Sequence, residues 1–320
     1  MADEYDVAVI GGGAAGLSAA VALGRSRRSV VVIDAGEPRN APADGVHGFL
    51  SRDGVPPAEL LAAGRSEAAH YSVELRDGAA TGARRVSGGF EVTVAGAAGG
   101  SAVHARRIVV ATGLVDELPD VAGLRERWGR DVVHCPYCHG WEVRDEPIGV
   151  LGGDPRALHV VQLFRQLSPD VVLFTHTGPV PSEAELEELA ARDIRVVPGV
   201  VAAVEVTGDR LSGVRLADGT VVPRRALAVG TRLVARSAVL EGLGLHATPD
   251  PSGVGERIEA DPTGRTAVDG VWVAGNVTNL MAQVVVAAAG GLMAGAAVNA
   301  DLAAEDTRDA VAARRARLAS

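Results

Sequence analysis

The chain has 320 residues, of which 47% are hydrophobic and 22% charged, and its formal net charge is −9. This length is large for one hydrophobic core and predicts two domains. The acidic balance excludes a nucleic-acid-binding face as the main function. The basic residues are all arginines, which excludes both a Schiff-base lysine and the lysine of a Walker-type phosphate loop.

The start of the chain and its few cysteines indicate where it works. Asp3, Glu4 and Asp6 form a short acidic leader, without the basic segment of a secretory signal peptide. Two cysteines in 320 residues are typical of a reducing compartment. We expect a cytoplasmic chain that binds neither nucleic acid nor a membrane.

A dinucleotide-binding unit is predicted at the beginning of the chain. The apolar strand Val7–Ile10 runs into the glycine turn Gly11–Gly16, which opens an Ala/Leu-rich helix. A second strand, Val30–Ile33, ends in Asp34. Strand, glycine turn, helix, strand and acid within about thirty residues make the complete unit.

The glycines and the acidic residue of this unit each have a physical role. Gly11 permits a tight turn, Gly13 lets the backbone approach a pyrophosphate, and Gly16 lets helix and strand pack closely. The helix N-terminus directs unpaired N–H groups at the phosphates, and Asp34 is placed to accept hydrogen bonds from a ribose. The motif alone does not decide between FAD and a nicotinamide cofactor.

A second unit is inserted among the remaining elements of this first unit. Phe90–Val94 and Ala102–Ala105 predict a hairpin across the flexible tip Gly96–Gly100. The strand Ile108–Val110 then leads into the small residues Ala111-Thr112-Gly113. The chain returns to the unit only near Leu240, and this makes the first domain discontinuous.

A second strand–helix–strand unit fills the interruption. It has a strand at Ile148–Leu151, a helix at Leu158–Leu167 and a strand at Val171–Phe174. A capping box from Ser182 to Glu185 opens another helix, in which we expect Leu186 and Leu189 to face inward. We therefore predict an α/β fold of two Rossmann-like domains, the second inserted in the first. The first domain takes residues 1–115 and 240–320, and the second takes residues 116–239.

An apolar run near the end of the chain has two interpretations. Residues 282–298 carry no charge and are rich in Ala, Gly and Val. The run is slightly short for a membrane span, and a Rossmann-like unit needs a last helical layer here. We predict a buried helix rather than a membrane span, followed after Asp301 by a solvated surface helix.

The only two cysteines stand as Cys135-Pro136-Tyr137-Cys138, flanked by His134 and His139. Thiols at this spacing can close a disulfide and so exchange two electrons, and each histidine can move the protons near neutral pH. The alternatives are half of a zinc site or two inert thiols. A structural zinc would need a second ligand pair, so we predict a redox-active pair and no metal.

With these motifs in order, the chain resembles the low-molecular-weight thioredoxin reductase family over nearly its whole length. The resemblance rests on Gly11-x-Gly13-x-x-Gly16 with Asp34, Ala111-Thr112-Gly113, Cys135-Pro136-Tyr137-Cys138, and Ala274-Gly275-Asn276 followed by Gln283-Val284. It implies FAD in the first domain, NADPH in the second domain beside the cysteine pair, and a homodimer.

The resemblance also implies roles for single residues. Cys138 would lie nearest the flavin, Cys135 would exchange with substrate, and His139 stands where the usual reductases carry an aspartate acid/base. Asn276 replaces the family's usual aspartate. The cofactor-binding residues that we predict are Gly11, Gly13, Ala14, Ala15, Gly16, Asp34, Ala35, Arg39, Asn40, His47, Val86, Ala111, Gly113, Gly275, Asn276, Gln283 and Val284.

The chain departs from this family at the expected NADPH site. In the turn that starts at Gly152, Asp154 and Pro155 stand where a second glycine should let pyrophosphate approach. A carboxylate there brings bulk and like-charge repulsion. The segment after the next strand, residues 175–179, has no arginine for the 2′-phosphate of NADPH. We therefore predict that the NADPH site is vestigial.

Without NADPH, electrons would enter from a dithiol. The chain is in this respect similar to the thioredoxin reductase-like dithiol oxidases that close disulfides in natural products such as gliotoxin, holomycin and romidepsin. The function predicted from this resemblance is an FAD-dependent oxidation of a small-molecule dithiol, with O2 as acceptor and H2O2 as product. The alternatives are an NADPH-dependent reductase of thioredoxin or another disulfide, and a flavin-binding redox sensor.

Overall fold

The computed structural model describes residues 3–95 and 100–319. Over these residues the chain forms seven α-helices and nineteen β-strands. The helices are α1 Ala14–Arg25, α2 Pro57–His70, α3 Leu124–Arg127, α4 Pro136–His139, α5 Ala157–Phe164, α6 Glu183–Ala190 and α7 Val284–Ala319. The strands are β1 Asp3–Ile10, β2 Val30–Asp34, β3 Glu74–Asp77, β4 Ala79–Val86, β5 Gly89–Ala95, β6 Ser101–Val110, β7 Leu114–Glu117, β8 Val132–Val133, β9 Ile148–Leu151, β10 Val171–Phe174, β11 Arg195–Val197, β12 Val201–Thr207, β13 Arg210–Leu216, β14 Val221–Val222, β15 Ala226–Val229, β16 Arg232–Ala235, β17 Thr248–Pro249, β18 Gly255–Arg257 and β19 Val271–Val273.

The largest sheet joins the two ends of the chain. Its strand order is β3-β2-β1-β6-β5-β4, and β19 pairs with β6 outside this path. The pairs β3-β2, β2-β1, β1-β6 and β6-β19 are parallel, and β4-β5-β6 form an antiparallel extension. The strand β19 lies about 160 residues after β6 in the sequence, so the chain leaves this sheet and returns to it.

A second sheet is built from the intervening chain. Its five strands, in the order β11-β10-β9-β15-β8, are all parallel. The strands β12, β13 and β14 form a small antiparallel sheet, and β17-β18-β16-β7 form another sheet of four strands. Two mainly parallel sheets with helices between their strands confirm the α/β prediction of two Rossmann-like units.

The domain limits at 115/116 and 239/240 stay a prediction. Strand β7 contains residues 115 and 116, and it pairs antiparallel with β16. A 3-10 helix, Ala238–Leu243, contains the other limit. Both limits therefore fall inside regular elements near the four-stranded sheet.

Most predicted elements are present. The hairpin forms between β5 and β6, although residues 96–99 of its predicted tip lie outside the described residues. The capping box of Ser182 and Glu185 is confirmed. Leu189 is buried as predicted, but Leu186 is 38% exposed, so its predicted inward orientation is wrong. The sequence pattern did not predict β4, whose polar residues lack strand alternation, or the short strands β7, β8, β16, β17 and β18.

The long helix α7 combines the predicted apolar helix with the predicted surface tail. By length and composition α7 is able to cross a membrane. Only part of its apolar segment is buried: Ala294 and Val298 are enclosed, while Leu292 and Met293 are exposed. The prediction of a buried helix therefore holds for one face of α7.

Glycines allow the buried face of α7 to contact the backbone of α1. A Cβ atom on Gly291 would overlap the Ala15 carbonyl, and one on Gly295 would lie 2.8 Å from the Ala19 oxygen. Further along, Arg107 of β6 forms an ion pair with Asp301 at 2.7 Å and another with Glu305. The first turns of the predicted surface tail are therefore bound to the large sheet.

The neighbouring glycines of α7 give a matched test of this packing. We expect Gly291→Ala to cost about 1–3 kcal/mol, because the added methyl overlaps backbone. Gly290→Ala has only Gly275 N nearby, at 3.8 Å, and improves helix propensity by up to ~1 kcal/mol. Thermal unfolding of both variants measures the difference. Equal melting temperatures would contradict the close contact between α1 and α7.

Candidate redox site

One cavity of about 990 Å³ extends from the glycine turn after β1 to the cysteine pair. Its lining includes Gly11 and Gly13 at one end and Cys135 and Cys138 at the other. The structure therefore brings the predicted nucleotide-binding turn and the predicted redox pair into a single space.

The glycine turn has the shape that a dinucleotide needs. Gly11 has a φ of 106°, and a Cβ there would overlap the Ala111 carbonyl. A Cβ on Gly16 would overlap the Gly11 carbonyl, which brings α1 directly onto the turn. A Cβ on Gly13 would have no neighbour within 4 Å and would project into free space. Gly13 thus leaves room for a phosphate to reach the backbone.

The N-terminus of α1 completes this cradle. Gly13 is its N-cap and provides no side-chain cap, so the first N–H groups of this twelve-residue helix remain available to an anion. Asp34 accepts a hydrogen bond from Gly12 N–H at 3.0 Å, and Arg65 lies 3.4 Å from its other oxygen. A carboxylate has about four acceptor sites, so Asp34 can still bind ribose hydroxyls. The cradle fits FAD.

The turn after β19 explains why Asn276 replaces the aspartate that the resemblance implies. Its Nδ2 donates to the carbonyl oxygens of Asn279 at 3.1 Å, Leu280 at 3.3 Å and Ala282 at 2.9 Å. A carboxylate would place negative charge against these acceptors. The amide therefore braces the turn with its nitrogen and can present Oδ1 to a hydroxyl donor.

Two residues predicted to contact the cofactor line the cavity but are held by carboxylates. Arg39 forms a bidentate pair with Asp116 at 2.6 and 2.8 Å. Although burial opposes ionisation, these bonds keep the pKa of Asp116 below its ordinary value. His47 lies 3.5 Å from Asp53 and 3.3 Å from Glu142. The predicted direct contacts of Arg39 and His47 with a cofactor stay a proposal.

Val86 requires a correction. It is the last residue of β4, where it pairs with Gly89, and it does not line the cavity. The cavity is lined instead by Gly78, just before that strand, and by Ala79 and Ala80 at its start. Val86 lies six positions beyond Ala80, which along a strand is roughly 20 Å. Gly16 also lies outside the lining. The other predicted residues line the cavity, namely Gly11, Gly13, Ala14, Ala15, Asp34, Ala35, Arg39, Asn40, His47, Ala111, Gly113, Gly275, Asn276, Gln283 and Val284.

The cysteine pair lies at the short helix α4, and both residues are free thiols. The hydrogen bond from Cys138, together with the N–H groups of Cys138 and Tyr137, lowers the pKa of Cys135 to about 7, against the opposing effect of burial. The same side-chain bond and burial raise the pKa of Cys138. Cys135 is therefore the thiolate of the reduced pair near neutral pH.

Both flanking histidines are neutral at neutral pH. Burial, followed by the charge of Arg39, lowers the pKa of His134 to about 4. Burial also lowers the pKa of His139, and its two ring nitrogens are enclosed without a hydrogen-bond partner in the described part of the chain. The rings lie 6.1 Å apart. Two neutral imidazoles beside the cysteines can accept protons from thiols.

The alternative of a zinc site gains no support. Within residues 3–95 and 100–319 no group of three or more His, Cys, Asp or Glu side chains is arranged to hold a metal ion. Cys135 and Cys138 instead hydrogen-bond to each other.

In the turn after β9, the carboxylate of Asp154 is paired, contrary to the repulsion of a phosphate that we expected from its charge. Asp154 accepts hydrogen bonds from the Arg156 backbone at 2.7 Å and from its guanidinium at 2.9 and 2.6 Å. Burial opposes the charge, but these bonds lower the pKa of Asp154. The carboxylate also packs against Gly230, where a Cβ would overlap it. Its charge is neutralised locally and does not by itself repel a phosphate.

The turns that follow β9 and β10 pack closely against each other. A Cβ on Gly178 would lie 2.6 Å from Gly153 N, and one on Gly153 would lie 2.9 Å from Thr177 Oγ1. The turns after β9 and β10 are therefore in contact at the carboxyl ends of these strands, where Rossmann-like units bind their ligands. His176 Nδ1 accepts a hydrogen bond from Val201 N–H at 3.0 Å.

Several residues of the cavity were missed by the sequence analysis. Asp116 lies in β7, Thr231 just before β16 and Trp128 just after α3. Asp116 binds Arg39 and Thr231, which are both far from it in the sequence. No local motif marks them. Arg156 is different, because an arginine two residues after Asp154 is a readable signal for local charge pairing.

Comparisons with known proteins agree with this geometry. Residues 5–291 match the family model "Pyridine nucleotide-disulphide oxidoreductase". Thioredoxin reductase tcpT of Claviceps purpurea is 31% identical over 312 residues, which cover 94% of this chain and 95% of that protein. The crystal structure of HlmI is 44% identical, with a TM-score of 0.88, over 98% of this chain and 97% of that chain.

Another relative matches over a shorter stretch. A probable thioredoxin reductase of Arthroderma benhamiae is 37% identical over 180 residues. That match covers 54% of this chain and 44% of the relative, so the two share less than half of the relative's length.

Alkylation of the reduced protein tests the assignment of the thiolate. We expect iodoacetamide to modify Cys135 first, with a rate that rises with pH around a midpoint of about 7, because only the thiolate reacts. Mass spectrometry of peptides identifies the site. Cys135→Ser is the matched control, in which Cys138 should react slowly at neutral pH. Faster modification of Cys138 in the unsubstituted protein would reverse the assignment.

Proposed function

Since the chain belongs to the pyridine nucleotide-disulphide oxidoreductase family, we propose that this oxidoreductase is an FAD-dependent dithiol oxidase. It closes a disulfide in a small-molecule dithiol through Cys135 and Cys138, and O2 takes the electrons and yields H2O2. The proposal includes a homodimer and a cytoplasmic location.

One observation carries the proposed direction of electron flow. The turns that should hold NADPH touch at Gly153 and Gly178, and residues 175–181 contain no arginine for its 2′-phosphate. The cysteine pair and the FAD-sized cradle share one cavity. A donor that reaches Cys135 therefore needs no nucleotide site in the second sheet.

The first chemical step uses the oxidised form of the pair. A substrate thiol gives its proton to His134 or His139, and the resulting thiolate attacks Sγ of Cys135. The disulfide bond breaks, and its electron pair goes to Cys138. The raised pKa of Cys138 means that this sulfur takes up the proton held by the imidazole.

The second step releases the product. The other substrate thiol gives its proton to a histidine, and its sulfur attacks the substrate sulfur bound to Cys135. The substrate disulfide forms and Cys135 leaves with the electron pair. A leaving group of lowered pKa departs faster, and the pKa of Cys135 is about 7. The substrate has lost two electrons and two protons, and the enzyme holds both.

When bound in the cradle, FAD would accept these two electrons from the cysteine pair and deliver them to O2. The chain's own part is to bind and orient the cofactor. Gly13 and the N-terminus of α1 would hold its phosphates, and Asp34 would hold its ribose. The backbone N–H groups of Tyr137 and Cys138 hold the Cys135 thiolate after each turnover.

The cavity favours an uncharged substrate. Beside the cysteines, two arginines are paired with carboxylates, Arg39 with Asp116 and Arg156 with Asp154, and burial lowers the pKa of the two histidines. The lining also includes the apolar side chains of Val160 and Leu163. A carboxylate brought beside these pairs loses its hydration without gaining a free cation from them.

The names of the relatives favour a second candidate, because tcpT is called a thioredoxin reductase. A reductase would receive electrons from NADPH or another donor and pass them through Cys138 and Cys135 to a disulfide. It would need a nucleotide site at the turns where Gly153 and Gly178 meet.

Anaerobic mixing distinguishes the candidates. We expect a small dithiol to bleach the flavin absorbance and O2 to restore it with formation of H2O2, while NADPH has no effect within seconds. Cys135→Ser is the control that should abolish bleaching by the dithiol. Rapid bleaching by NADPH would instead establish the reductase, and a lack of response to both reagents would favour a redox sensor.

A pair of dithiols that differ in charge tests the substrate class. We expect kcat/KM for dihydrolipoamide to exceed that for dihydrolipoate at least about tenfold, equivalent to ~1.4 kcal/mol. Asp154→Asn should narrow the ratio, because Arg156 then offers an unpaired cation to the carboxylate. Equal rates for the two dithiols in the unsubstituted enzyme would contradict the argument from paired charges.

A further inference from the structure

We propose that Trp128 is a positioning residue that shields the imidazole of His134 from water beside Cys135 and so favours the neutral ring, which is the form that can accept a thiol proton. The inference rests on the proposed function for the identity of the reaction. It concerns a tryptophan that no motif of the sequence marks.

A buried ion pair fixes the turn that carries Trp128. Arg127 is only 5% exposed. Its Nε donates to Asp131 at 2.8 Å and its Nη1 donates to Asp209 at 2.8 Å. Asp131 in turn accepts a hydrogen bond from Leu211 N–H at 2.8 Å. These bonds tie the residues on both sides of Trp128 to the small antiparallel sheet.

The fixed turn places the indole against the ring of His134. The ring centroids lie 5.5 Å apart, with an angle of 27° between the planes, and the arrangement is stacked. Trp128 also forms a bridge with Val132, the first residue of β8, which leads directly into His134. Both aromatic residues line the cavity. Trp128 therefore covers one face of the imidazole and reduces the access of water to that face.

The charged neighbours of His134 do not set its state alone. Arg39, Asp116, His139 and Arg156 all act on its charge, and burial has a larger effect than any of them. Arg39 is paired with Asp116, and Arg156 is paired with Asp154, so these charges largely cancel. The dry environment remains as the main reason for a neutral ring, and the indole face is part of that environment.

The direction in which Trp128 shifts the pKa of His134 can be tested, because two physical effects of the indole oppose each other. An aromatic face attracts a cation, so stacking alone would favour imidazolium. Exclusion of water favours the neutral ring. If Trp128 acts by excluding water, its removal must raise the pKa of His134; if it acts by cation–π attraction, its removal must lower that pKa.

The experiment compares Trp128→Ala and Trp128→Leu in the flavin-loaded enzyme. We expect Trp128→Ala to move the His134 titration midpoint, measured by NMR of labelled histidine rings, up by about one to two pH units toward the ordinary value of about 6.5. The acid limb of the rate of flavin reduction by dithiol should move with it. Trp128→Leu keeps the site apolar and should leave both near the unsubstituted values.

Trp141→Ala is the matched control, since Trp141 is 65% exposed and contacts Arg144 rather than a histidine. It should change neither the His134 titration midpoint nor the acid limb of the rate of flavin reduction. An unchanged or lowered midpoint in Trp128→Ala overturns the proposal. So does an ordinary His134 midpoint in the unsubstituted enzyme, whether or not the variants fold. If no dithiol is oxidised, the proposed function fails, while the titration midpoints still decide the role of Trp128.

Discussion

The site depends on how closely backbone can approach backbone around α1. Three glycines make this possible: Gly16 against the Gly11 carbonyl, Gly291 against the Ala15 carbonyl, and Gly275 beside the Ala15 methyl. Side chains at these points would push α1 away from the turn and from α7. The cavity wall is therefore a consequence of absent side chains, and the space over Gly13 stays open because glycine has no side chain to occupy it.

The cysteine end of the cavity follows another constraint, the high free-energy cost of an unpaired charge away from water. Arg39 and Arg156 each meet a carboxylate within hydrogen-bonding distance. The histidines lose their charge instead, and the proton of the reduced cysteine pair stays on Cys138. The groups left to react are a thiolate and two neutral bases, which suits transfer of protons away from thiols.

The sequence predicted the parts of the fold that are encoded locally. The turn Gly11–Gly16, the strands Ile148–Leu151 and Val171–Phe174, and the cap at Ser182 are short patterns whose physics lies within a few residues. Strand β4 was missed because its pairing with β5, and not its own pattern, stabilises it.

Of the candidate site, the sequence predicted the cysteines and glycines but not the partners that tune them. Trp128 reaches His134 through a turn fixed by Asp209, about 80 residues away in the sequence. Asp154 was identified as charged, but its neutralisation depends on the side-chain conformation of Arg156. Such properties arise from tertiary contacts that no local spacing encodes.

The contact between the turns after β9 and β10 limits what a single substitution can change there. It lies in main-chain atoms of Gly153 and Gly178, and glycine has no side chain left to shorten. Truncation of the Asp154 side chain would therefore leave the contact in place, because the two loops would have to separate together. On the function proposed above, a nicotinamide-dependent relative would differ from this chain in the length or course of these loops and not in one side chain.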